Sequence, residues 1–152
     1  YAEDSFSPCW RGQPGTTYQN WSFNGPTNPA TPETFANAKG TPQATITVGA
    51  FGSDWVSSSF GTKTGVWDIG RSGQVSLAVP NYPGVWKYVQ VQVTYFDNAT
   101  LFVPPTISIA GATLVSGAAT NNEVVTSGTT VFGIWKTTNT VWLVQHRQEQ
   151  VA

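Results

Sequence analysis

Apolar and polar positions alternate with a period of two along most of this chain, which marks strands rather than helices. The clearest stretch is Trp86–Phe96. Its odd positions, Val89, Val91, Val93 and Tyr95, form an apolar stripe suited to a core. Its even positions, Trp86, Tyr88, Gln90, Gln92, Thr94 and Phe96, form a mixed aromatic and amide face. Gln43–Val48 repeats the pattern with Ala44, Ile46 and Val48 turned inward, and Gly73–Val79 is expected to bury Val75, Leu77 and Val79. Shorter strands are predicted at Thr16–Phe23, Gly65–Ile69, Thr106–Ala110 and Ala112–Val115. A closing hairpin is predicted to join Thr129–Lys136 to Thr140–Arg147 through Thr137, Thr138 and Asn139. Residues 24–42 carry four prolines and two glycines and read as a long ordered loop. Residues 1–15 do not alternate and read as an extended N-terminal arm.

No segment combines a 3.6-residue apolar period with helix-forming neighbours. Composition agrees. Twenty-one threonines and seventeen valines stand against four leucines, and β-branched side chains favour a pleated surface. The expectation is an all-β chain: a single antiparallel β-sandwich or jelly roll of about eight to nine strands over residues 16–152, preceded by the arm.

Charge narrows the function classes. Charged residues make up 10% of the chain, against roughly a quarter in an average soluble domain. The seven basic residues are scattered singly, so the clustered footprint of a nucleic-acid binder is missing. No apolar run reaches the length of a membrane span. The chain starts at Tyr1 and contains no methionine, which leads to the expectation of a processed, exported product. With one histidine and eight carboxylates, the chain is poor in groups that move protons and rich in aromatics that pack and stack. A non-enzymatic role is therefore expected.

Several residues carry candidate chemistry. Glu3, Asp4 and Asp97 are the best calcium ligands on offer, but no calcium-loop spacing joins them, and solvated loops are the preferred reading. No cofactor is expected. His146 has no Cys or Asp nearby in sequence and reads as structural, and Cys9 reads as a small residue buried against Trp10. Asn20-Trp21-Ser22 and Asn98-Ala99-Thr100 match the N-glycosylation acceptor pattern. About two such matches arise by chance in so Ser- and Thr-rich a chain. Trp86 and Tyr88 share a face with Gln90 and Gln92, which suits a sugar platform, with Trp67 or Trp135 as further members, or a protein interface. Cover by a second layer, the N-terminal arm or the long loop, is the preferred reading of that face, ahead of either.

The block SPCWRGQPGTTYQNWSF, continued by NPATPETFANAKGTPQATI, resembles secreted bacterial proteins of the kind that carry a PEP-CTERM sorting tail. The resemblance covers the N-terminal third and implies an exported β-sandwich tied to the cell envelope or matrix, with no known enzymatic activity. The C-terminal HRQEQVA departs from the pattern, because it lacks the tail's apolar span and basic stop.

These readings converge on an extracellular structural protein that assembles with itself by strand or arm exchange. Phe6 and Trp10 of the arm would dock on a neighbour's sheet. The alternative is a carbohydrate-binding module built on Trp86 and Tyr88, with an extracellular polysaccharide as partner.

Overall fold

The computed structural model describes residues 7–80, 82–84, 86–98 and 104–145. Among them there is no helix, and hence none long and apolar enough to cross a membrane. Among the described residues nine strands pair antiparallel throughout, in four sheets of two or three strands, none of which closes on itself. The chain divides into two compact units, one over Cys9–Tyr82 and one from Pro83 onward.

The first unit is built from short pairs. β1 (Tyr18–Asn20) meets β2 (Thr34–Ala36), a strand that falls inside the predicted loop. β3 (Gln43–Thr47) pairs with β6 (Gln74–Ala78), and the hairpin of β4 (Asp54–Phe60) and β5 (Lys63–Asp68) lies between them in sequence. Ala44 and Ile46 of β3 are buried as the alternation requires, together with Ala30, which bridges Ala44. Asn28 clamps the same strand through its side chain: Nδ2 donates to the Ile46 carbonyl at 2.7 Å, and Oδ1 accepts from the Ile46 N–H at 3.0 Å. Val75 and Leu77, expected in the core, are exposed instead. Among the described residues their strand pairs with β3 alone, so β6 is an edge strand.

Two loops of this unit lock backbone to backbone. The Gly49 N–H donates to the Ile69 carbonyl at 2.9 Å, and the Arg71 N–H donates to the Ala50 carbonyl at 3.0 Å. Gly70 sits between them at φ 68°, and a methyl group there would overlap the Ala50 carbonyl. Only glycine satisfies both demands.

The second unit holds one sheet among its described residues, in the order β7-β9-β8. β7 spans Trp86–Asp97, β8 spans Ala112–Ser127 and β9 spans Thr130–Gln145. The predicted hairpin at Thr137–Asn139 is not there. β9 runs straight through those residues, and the turn falls one strand earlier, at Gly128-Thr129. Gly128 adopts φ 61°, as a two-residue type II′ hairpin turn requires at its first position. Thr-Thr-Asn reads locally as a turn, but long β-branched flanks and full cross-strand pairing on both sides override it. Thr106–Ala110 forms no strand. The apolar stripe of β7 is half-buried rather than core, because no second sheet stands opposite it among the described residues of its unit.

The N-terminal arm is described from Ser7. It is not extended over residues 9–15, which coil through turns. The Gln13 N–H donates to the Trp10 carbonyl, and the Thr16 N–H donates to the Gln13 carbonyl, both at 3.1 Å. Pro14 and two glycines within five residues favour turning over extension.

Candidate functional site

The chemistry of this chain gathers on one face of the β7-β9-β8 sheet. Directly opposed residues share a face, so the register defines its composition. Trp86, Tyr88, Gln90, Gln92, Thr94 and Phe96 of β7 stand opposite Gln145, Leu143, Val141, Asn139, Thr137 and Trp135 of β9. β8 extends the face with Ser116, Ala118, Thr120 and Glu123.

Its centre is a polar ladder. Gln90 Nε2 donates to Asn139 Oδ1 at 2.8 Å. Thr137 and Thr94 hydroxyls bond at 2.9 Å, and Asn122 Nδ2 donates to Thr137 Oγ1 at 2.6 Å. Thr137 is only 1% exposed, so the most buried side chain of this unit is a hydroxyl with its bonds made. Such cross-strand Thr and amide pairs fix register as well as energy, because each partner left alone would be desolvated and unmatched.

Aromatics bracket the ladder. At one end Trp135 is buried against Phe96, with ring centroids 5.3 Å apart and edge-on, and Phe96 also meets Phe132 at 5.6 Å. At the other end Trp86 and Tyr88 are 58% and 59% exposed. No cover lies over them among the described residues of their unit. Trp135 is therefore packing, not platform. Trp67 belongs to the first unit, where it faces Trp55 across the β4–β5 pair, and its indole N–H is buried without a partner rather than presented to solvent.

The other sequence candidates fall as follows. Glu3, Asp4, Phe6 and His146 lie outside the described residues. Asp97 is bound to Lys136 in an ion pair, and the hydrogen bond from the ammonium to that carboxylate holds the Lys136 pKa above its ordinary value. Among the described residues no three His, Cys, Asp or Glu side chains gather. Asn20 ends β1 half-buried, and Asn98 borders an open cavity of about 420 Å³ with Asp97, Val131, Phe132 and Lys136. Trp10 is half-buried, whereas Cys9, expected to be buried against it, is an exposed thiol. The turn that carries Cys9 holds it at the surface. Arg11, two residues on, lies over the Tyr18 ring at 4.5 Å.

Two features escaped sequence reasoning. One is Phe51, which is 89% exposed at φ 65°, a conformation a bulky side chain rarely adopts. Its position between Ala50 and Gly52 was the available signal. The other is the exposed length of β8, hidden by small residues that look like a loop. The chain matches no protein-family model, no curated protein and no solved structure.

Proposed function

We propose that this is a non-enzymatic extracellular structural protein that assembles with copies of itself by strand or arm exchange. The supporting observation is the distribution of apolar groups. Among the described residues only Ala30, Ala44, Ile46 and Trp135 are buried hydrophobics, while twelve large hydrophobic side chains are exposed. Burying one such side chain is worth roughly 1.5–3 kcal/mol. A surface of that kind is stabilised by meeting another. The sandwich expected from the sequence is then completed between copies, each supplying the layer that its neighbour's sheet lacks. The arm, with Phe6 and Trp10, is a second joint, and a head-to-tail contact of that type propagates into a filament. The resemblance of the N-terminal third to exported envelope proteins supports the same compartment, where Asn20 and Asn98 would be open to glycosylation.

The test is light scattering behind size exclusion, with negative-stain electron microscopy of the same sample. Regular assemblies are expected. A monodisperse monomer at all accessible concentrations overturns the reading.

A second reading is favoured by one observation: Trp86 and Tyr88 stand exposed two residues apart, next to Gln90 and Gln92 on the same face. Stacking faces beside amide groups are what a carbohydrate-binding module offers a polysaccharide. Trp86→Ala should abolish retention on matrix polysaccharides. Absence of binding by the native chain across such polysaccharides removes this reading.

A further inference from the structure

β8 is an edge strand, and it lacks most of the devices that keep edges apart. Its inner side pairs with β9, and its outer row of N–H and C=O groups faces no strand among the described residues. Nine consecutive residues, Thr113–Asn121, are exposed. Natural edges are kept short, or carry lysine or proline. β8 has sixteen residues, no lysine, no proline and a single charge, Glu123. β7, at the opposite edge, is shorter, carries Lys87 and Asp97, and is half-buried apart from Trp86 and Tyr88.

β8 also has a self-complementary register. Val115 and Asn122 are the extra residues at two bulges, since Leu114 and Ser116 oppose consecutive residues of β9, as do Asn121 and Glu123. The run Ser116–Asn121 between them is regular. A two-fold axis perpendicular to the sheet must run midway between a residue and its own copy, because only residues on the same face can meet. With Ala119 on the axis, Ala118 opposes Thr120 and Gly117 opposes Asn121. Passing over the bulged residues, Ser116 then opposes Glu123 and Leu114 opposes Val124. Leu114 and Val124 are 52% and 54% exposed, and symmetry brings them together twice. The only charge meets a serine. With the axis on Ala118 instead, Leu114 would face Asn121. With the axis on Thr120, Glu123 would face Ala118 and Val124 would face Gly117.

We propose that β8 is the strand through which two copies of this chain join, antiparallel, about a two-fold axis at Ala119. This rests on the self-assembly reading above and names its joint. A two-fold contact closes on itself, so β8 makes the dimer, and the arm or the β7 edge extends it.

The experiment uses the full chain with Cys9→Ser, into which Ala119→Cys or Ser116→Cys is introduced. Cα atoms of directly opposed residues lie about 4.5–5.5 Å apart, within the range a disulfide spans. Mild oxidation should therefore link Ala119→Cys chains in pairs and leave Ser116→Cys chains unlinked, as that residue opposes Glu123. Ala119→Lys, which sets two ammonium groups face to face, should weaken dimerisation at least about tenfold by light scattering. Assembly that persists with no link at 119, or with equal linking at 116 and 119, overturns the β8 joint and leaves self-assembly standing. Monomers for the Cys9→Ser parent overturn both.

Discussion

The two units of this chain hold their strands by opposite means. In the first, pairs of three to seven residues are held by backbone contacts between loops, with glycine at the crossing and a core of Ala30, Ala44 and Ile46. In the second, strands of twelve to sixteen residues are held by a ladder of hydroxyl and amide side chains around Thr137. Neither relies on a large apolar core. The difference teaches where each unit is vulnerable: the first to added volume at a loop, the second to the loss of one polar atom.

Gly70→Ala should have the largest effect. It combines a left-handed backbone with an overlap against the Ala50 carbonyl, and together these cost about 3 kcal/mol. Hydrogen exchange should accelerate over β3–β6 and stay unchanged over β7–β9. Acceleration in both would show that the two units do not stand apart. Thr137→Val should follow at about 2 kcal/mol, because it removes a buried hydroxyl and leaves the half-buried Asn122 amide donor and the Thr94 hydroxyl without that partner. Thr137→Ser keeps the hydroxyl and should cost less than half as much in denaturant titration. Equal costs would mean that packing, not the ladder, holds the sheet.

The smallest effect is electrostatic. The hydrogen bond to Asp97 raises the Lys136 pKa above 10.5. A raised folded value means the pair's contribution is complete below 10.5 and fades as pH climbs through the higher folded value. Thermal midpoints should thus show no pH dependence from this pair between about pH 6 and 9, well below the ordinary lysine range, and Lys136→Gln should lower the midpoint evenly there and remove the pair's loss on the alkaline side. A fall in the native chain's midpoint near neutrality that Lys136→Gln abolishes would contradict the assignment.

Much of the fold is legible in the sequence. Period-two alternation located β3, β5, β6 and β7 within a residue or two, because alternation is a local property of the backbone. β2 and β4 escaped it: one is three residues inside a proline-rich loop, and the other reads Val-Ser-Ser-Ser without contrast between its faces. Residues 129–145 depart from their local pattern for a different reason. Thr137-Thr138-Asn139 carries turn residues, yet it is the best-paired part of the sheet, and pairing is a non-local fact. The exposed Trp86 and Tyr88 were identifiable from their parity. Their buried neighbour Thr137 was not, since a threonine gives no sign in sequence of which hydroxyl will be enclosed.

Sixteen residues of extended strand reach about 50 Å, and that length has a mechanical meaning. Inter-strand hydrogen bonds lie perpendicular to the strands. Tension applied along β9 and returned along the far edge of a paired β8 would load every bond of the ladder at once. Pulling the hairpin open from the ends remote from Gly128 would break them singly. The same sheet is therefore stiff along its strands and yielding across them.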